Sequence, residues 1–189
     1  MRSIGKGAYL IQQVVLDSKI HGLGPMSRVR YFVVGLRRSA MNGKFVKPRP
    51  LKSKERRPLS DYLNMDVKGT EFPNNEVRVR NLKLAYGKLG RKALVVPHFV
   101  DAFASPSRPY VKSGTLPCLT ASRARAGGFW VTNLFRMTSL VEMKKFMHLE
   151  ALADSDTMSS AKLGHAVGNS IDVSVLARLM QSILDCVEI

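Results

Sequence analysis

Cysteine is scarce in this chain: Cys118 and Cys186 are the two among 189 residues. Two distant thiols build no disulfide framework and supply no paired-cysteine zinc pattern, so a reducing compartment is expected. Long apolar runs are missing too, since nothing approaches the roughly 20 apolar residues of a membrane-spanning helix. Met1 to Gly7 is too short and polar to read as a secretory signal, and secretion is not expected. The four histidines, His21, His98, His148 and His165, have no ligand spacing, so no metal site is expected. No internal repeat recurs. Acidic residues are few, fourteen against thirty Lys and Arg, for a net charge of +16.

The imbalance is concentrated. Residues 1 to 136 carry twenty-six basic and seven acidic side chains, a net +19, whereas residues 137 to 189 sum to −3. A polyanion is the economical partner, because each neutralised phosphate releases counterions with a log-log salt slope of about −0.9 on duplex DNA. DNA or RNA therefore leads. An anionic membrane is not expected, because the basic residues sit among Pro, Gly and strand formers and not on one helical face. With 45% hydrophobic residues, the chain can bury the core of one domain, or of a domain with a small module.

Tyr9 to Leu16 (YLIQQVVL) reads as a strand and Arg30 to Leu36 as a second, with a turn at His21-Gly22-Leu23-Gly24-Pro25 that lets them pair antiparallel. In Ser27-Arg28-Val29-Arg30-Tyr31-Phe32-Val33-Val34-Gly35, two arginines run into the second strand. Strand alternation puts Arg28 and Arg30 on one face, where two guanidinium forks can grip a phosphate or a base edge. Arg37 to Pro58 holds nine basic residues, one acid and three prolines, and reads as a loop or extended arm. Leu59 to Leu63 can open a short helix capped by Ser60 or Asp61. Glu76 to Arg80 (EVRVR) alternates like a strand, and Pro97 interrupts any helix through Ala93-Leu94-Val95-Val96. Thr138 to Leu152 has helical spacing, with Thr138 or Ser139 as N-cap, Glu142 in the first turn and Leu140, Met143 and Met147 in its stripe. Ile171 to Leu184 is a second helix with Val173, Leu176, Leu179, Met180 and Ile183 on its apolar face. Gly168-Asn169-Ser170 stands directly before it. At a helix opening these residues would supply a tight turn, a cap and free backbone N–H groups aimed at a ligand.

The order of these pieces resembles the C-terminal half of the DNA (cytosine-5) methyltransferases. In that family a strand opening with Gln-x-Arg-x-Arg precedes a target-recognition region, and Gly-Asn-(Ser/Ala) opens the last helix of the catalytic domain. Between the two, Thr115-Leu116-Pro117-Cys118-Leu119-Thr120-Ala121 and Gly127-Gly128-Phe129-Trp130 resemble the family's Thr-Leu-(Ser/Thr) and Gly-Gly-Tyr segments. Arg136-Met137-Thr138, with Glu142 and Met147, is similar to its penultimate helix, and Asp61-Tyr62-Leu63 to its Asp-x-Leu. Met26 stands where the family has Gln.

The resemblance implies an α/β fold: the C-terminal portion of a Rossmann-like S-adenosylmethionine-dependent methyltransferase domain with an inserted irregular, partly β target-recognition module. Residues 1–36 would be strands of the catalytic domain, 37–135 the recognition module, and 136–189 the helices that complete the catalytic domain. Arg30 would contact the carbonyl edge of a flipped cytosine and Arg28 would brace it. Gly168, Asn169 and Ser170 would line the S-adenosylmethionine pocket. Arg37, Arg38, Lys52, Lys54, Arg56, Arg57, Arg123 and Arg125 would contact DNA. A Gly-rich cofactor loop, a Pro-Cys-Gln nucleophile loop and a Glu-Asn-Val strand are absent. The resemblance therefore implies a fragment or subunit, inactive alone, whose partner chain carries the other catalytic half. It would work in the nucleus of a eukaryote or otherwise in the cytoplasm. Two other readings stay open: a small basic nucleic-acid-binding protein of ribosomal-protein type without catalysis, and an unrelated enzyme using Cys118.

Overall fold

A computed structural model, describing residues 7–105, 110–151 and 157–188, gives a mixed α/β fold with two sheets. β1 (Tyr9–Asp17) and β2 (Val29–Arg37) pair antiparallel, from Tyr9 opposite Arg37 to Asp17 opposite Val29. Alternation gives this hairpin two unlike faces. Val14, Leu16, Val34 and Leu36 are buried on one. On the other, Ile11, Val15, Tyr31 and Val33 are open, Tyr31 being 82% and Val33 66% exposed. The connection contains a one-turn helix, α1 (Ser18–His21), capped by Asp17, whose Oδ1 accepts from the backbone N–H groups of Lys19 and Arg28.

Residues 38–58 are irregular, as their prolines dictate, but they are not a free arm. Leu51 N donates to Ile20 O (2.8 Å), Arg57 N to Leu23 O (2.9 Å) and Asn42 N to Cys186 O (3.1 Å), while Phe45 is buried in the hairpin core. Leu59–Asp61 forms a single 3-10 turn with no side-chain cap, in place of the short capped helix expected there.

The EVRVR segment is helical, not extended. It opens α2 (Glu76–Leu89), which Asn75 caps by accepting from Arg78 N and which ends at Gly90 with φ +57°. Its alternation is local, and the burial of Asn81, Leu82 and Ala85 one turn later follows helical spacing instead. A single turn, α3 (Lys92–Val95), then stops before Pro97, and the chain enters β3 (His98–Val100). β4 (Val111–Ser113) follows, then α4 (Ala121–Arg125), β5 (Trp130–Val131) and β6 (Arg136–Met137). These strands form an antiparallel sheet in the order β4-β3-β5-β6.

α5 (Leu140–Phe146) opens on a capping box in which Ser139 Oγ accepts from Glu142 N (3.1 Å) and Glu142 accepts from Ser139 N (2.8 Å). It ends by Met147, short of the predicted span, and Leu152 lies outside the described residues. α6 (Ser160–Asn169) has no counterpart in the sequence expectations. α7 (Val173–Leu184) is capped by Asp172 and packs Val175 and Leu179 against the hairpin. Val173 and Met180, expected on its apolar face, are exposed; the buried line runs through residues 175, 179 and 183.

A second core joins Met26, Tyr62, Leu116, Leu119, Phe146 and Val167, so it draws together the turn, the middle of the chain and the C-terminal helices. A third packs Leu82 and Ala85 of α2 on Val100 and Trp130 of the sheet. Among the described residues no helix is long and apolar enough to cross a membrane.

Candidate nucleic-acid and cofactor-facing site

Arg28 precedes β2 with its backbone fixed at the hairpin mouth: its N–H donates to Asp17 Oδ1 (3.0 Å) and its carbonyl accepts from Ser18 N (3.0 Å). The side chain turns inward and is 2% exposed. Nη1 donates to Leu119 O (2.6 Å), and Nη2 donates to Gly168 O (3.0 Å) and Ser170 O (2.6 Å). Cys118 Sγ lies 3.8 Å from Nη1, and the buried Nε has no partner. Burial lowers the guanidinium's pKa below its ordinary value, and the nearby Arg30 charge acts in the same direction. A planar fork with five donors suits this task, since it can hold carbonyls from two separate segments at once.

Arg30, two residues on, is half-exposed and makes one hydrogen bond, from Nη1 to Val29 O (2.8 Å). The expectation that both guanidiniums project together is corrected here: one is consumed inside the protein and the other keeps its donors. Parity placed both on one side of the strand. The carbonyls delivered by Leu119 and by residues 168–170 then drew Arg28 in.

Gly168-Asn169-Ser170 closes α6, and the next helix is capped by Asp172, so this segment does not open the last helix. Ser170 N donates to Ala166 O (3.0 Å) and Ser170 Oγ to Val167 O (2.6 Å), which removes the free donors expected of a helix opening. Gly168 serves packing. A Cβ there would meet Ala121 Cα and Thr120 O at 2.6 Å, and one at Gly164 would meet Ala124 O at 2.5 Å, so α6 and α4 lie backbone against backbone. With the carbonyls of Gly168 and Ser170 held by Arg28, the segment turns these two groups inward. It offers outward the exposed Asn169 side chain, whose Nδ2 is 3.4 Å from His165 Nδ1.

The basic residues divide into free and engaged. Arg37, Arg38, Lys52, Lys54, Arg57 and Arg125 are exposed. Arg56 is half-buried and donates to Lys19 O (2.8 Å). Arg123 binds Asp101 Oδ2 through Nε (2.8 Å) and lies over the Phe103 ring, so it is committed within the fold. Arg49 grips Glu55 with two bonds, and this pairing holds the Glu55 carboxyl down to about 2. Cys118 lines a pocket of about 320 Å³ together with Asp101, Tyr110, Thr120 and Arg123. Among the described residues no group of His, Cys, Asp and Glu could hold a metal ion.

Two buried polar networks escaped the sequence reading. Tyr62 Oη meets His148 Nε2 (3.0 Å), and His148 Nδ1 meets Asp172 Oδ1 (2.9 Å), which also accepts from Ser174 N and Oγ. Burial pushes the Tyr62 hydroxyl up to about 12. Burial works against the Asp172 carboxylate as well, but His148 and Ser174 hold its pKa below the usual range. In the other network Glu142 accepts from Arg136 (2.6 and 2.9 Å), Ser139 N and Asn64 N; these bonds outweigh burial and lower its pKa. Only the capping-box spacing of Ser139 and Glu142 signals any of this in the sequence.

No family model matches the chain, and no curated protein does. Among solved structures it is similar to the Entamoeba histolytica methyltransferase EhMeth, at 17% identity and a TM-score of 0.60. The likeness covers 95% of this chain and 55% of that one, so the chain spans about half the length of the structure it matches. The chain thus has a methyltransferase-like fold.

Proposed function

We propose that this chain is the base- and DNA-facing portion of a DNA (cytosine-5) methyltransferase. One observation carries the reading: Arg28 of the arginine motif bonds Gly168 and Ser170 of the Gly-Asn-Ser motif, 140 and 142 residues away. The family resemblance requires these motifs to meet, and no feature of composition does. In this reading Arg28 is a positioning residue that locks the strand, and Arg30 is the group that reaches the base. A cytosine attacked within an enzyme must leave the stack, and a guanidinium can hold its O2 as negative charge develops on the ring. Arg37, Arg38, Lys52, Lys54, Arg57 and Arg125 neutralise phosphates. Arg123 and Arg56 hold the fold and contribute less.

S-adenosylmethionine supplies the methyl group when bound. From this chain Asn169 is the side chain available to it, and most of its site belongs to residues outside the chain, as does the cysteine nucleophile. Those residues, in a longer polypeptide or a second chain, would also cover the open apolar face of the hairpin, since unpaired strands and exposed apolar surface invite a partner. The protein would act where DNA is, in a eukaryotic nucleus or otherwise the cytoplasm. By itself the chain transfers no methyl group.

Photocrosslinking tests the base contact. A duplex carrying 5-iodo-2′-deoxycytidine opposite an abasic site should crosslink within residues 28–31. Crosslinks confined to residues 37–58 would instead favour the basic nucleic-acid-binding protein without catalysis.

A further inference from the structure

α2 has an outward face that takes no part in the site around Arg28 and Arg30. Its inner side is buried through Asn81, Leu82 and Ala85, and Asn81 Nδ2 donates to the carbonyls of Ala102 (3.1 Å) and Ala104 (2.8 Å). Away from that side Glu76, Val77, Arg80, Lys83, Leu84, Gly87 and Lys88 are exposed. Their spacing of three and four residues makes one continuous stripe. None of the three cations has an acidic partner among the described residues, and Glu76 is the helix's one acid.

Gly87 is the telling member. Glycine inside a helix is unfavourable relative to alanine, so a packing reason is usual. Here a Cβ would meet nothing within 4 Å, and no neighbour in the fold calls for its absence. On an outward face, a missing Cβ permits close approach by another molecule's backbone. The flanking cations select a polyanion, and Leu84 and Val77, 46% and 52% exposed, select one that also presents apolar groups. Duplex DNA has both, as phosphates and thymine methyls, in a major groove about 12 Å wide that admits an α-helix. Fourteen residues at about 1.5 Å each are long enough to cross it. Two separated apolar residues interleaved with cations are too little for the continuous apolar face that holds a helix in a lipid surface.

Resting on the DNA reading above, we infer that α2 lies in the major groove of duplex DNA, with Arg80, Lys83 and Lys88 on phosphates or base edges and Gly87 at the closest approach. The test uses the full chain and a fully paired 20-base-pair duplex, followed by fluorescence anisotropy across a salt series. Arg80→Ala and Lys83→Ala should each weaken binding severalfold and reduce the log-log salt slope by about 1. Gly87→Ala should raise the Tm, because the helix gains, and yet weaken binding about tenfold as the added methyl blocks approach. The inference is overturned if these variants bind as wild type does, or if wild type does not bind the paired duplex. It is equally overturned if vesicles of phosphatidylserine and phosphatidylcholine capture wild type but not Leu84→Glu, or if wild type sediments as a dimer that Leu84→Glu dissociates. A paired duplex offers no extruded base, so its outcome is separate from the cytosine reading. Intact α2 effects without any preference for an extruded cytosine would sink that reading alone.

Discussion

Arg28 and Arg30 differ by one alternation of a strand and have opposite fates. Arg28 spans three carbonyls from inside the protein. A lysine at that place has a single point of charge and no fork, and leaves at least one buried carbonyl without a donor. Arg28→Lys should therefore cost about 2 kcal/mol or more in a urea melt, whereas Arg30→Ala should stay within about 0.5 kcal/mol because the side chain is half-exposed and bonds only its neighbour. Equal costs would show that Arg30 is structural too. Glu142 makes a comparable case. It is 2% exposed and bonded to Arg136 and two backbone N–H groups, so Glu142→Ala leaves the half-buried Arg136 without its carboxylate and two N–H groups without an acceptor, and should cost about 2–3 kcal/mol. At this scale the sequence showed the common strand face and the capping box. It could not show which arginine turns inward, because that depends on carbonyls contributed from residues 119 and 168–170.

Among the elements, the strongly periodic ones were legible: the β1–β2 hairpin, the α7 helix and the break at Pro97. α2 was misread because EVRVR alternates over five residues, too few to outweigh the helical burial that begins at Asn81. α6 was missed because half of its inner face is glycine: Leu163 and Val167 lie beside Gly164 and Gly168, and two apolar side chains are too few for periodicity to register. Gly164 and Gly168 let α6 meet the backbone of α4 directly, so nothing larger fits. Gly168→Ala should push these helices apart and cost about 1–3 kcal/mol, while Gly87→Ala on open α2 should stabilise. Thermal melts of the two variants, opposite in sign, check both statements. If Gly168→Ala melts as wild type does, the close packing of α4 on α6 is not a constraint. Gly168 holds the carbonyl that Arg28 takes, so this contact between elements also sets the geometry of the site.

The whole molecule joins a hairpin backed by α7, a central core and a small antiparallel sheet through buried polar links. Two of those links titrate. Asp172 and Glu142 are held below their ordinary carboxylate values in the fold. A depressed folded pKa contributes stability that is complete above the unfolded value, about 3.9 for Asp and 4.3 for Glu, and is lost as pH falls through the folded one. The urea midpoint should thus be flat with respect to these groups from pH 7 to about 5 and fall steadily below about 4. A midpoint unchanged at pH 3 would mean that neither carboxylate matters to stability. The charge of +19 over residues 1–136 was plain from composition, and the anionic partner is the proposal that complements it. The likeness of 95% of this chain to 55% of a methyltransferase structure gives the fold in which the arginine strand sits, and its cytosine-holding role is the proposal made for it. The most direct measurement is the affinity of the chain for a duplex with a cytosine facing an abasic site, divided by its affinity for the fully paired duplex. Wild type should favour the extruded cytosine by about tenfold, the range of a good bidentate base contact, and Arg30→Ala should bring the ratio to about one with little loss on paired DNA. A wild-type ratio of one, or an Arg30→Ala loss equal on both duplexes, would contradict the cytosine-holding role.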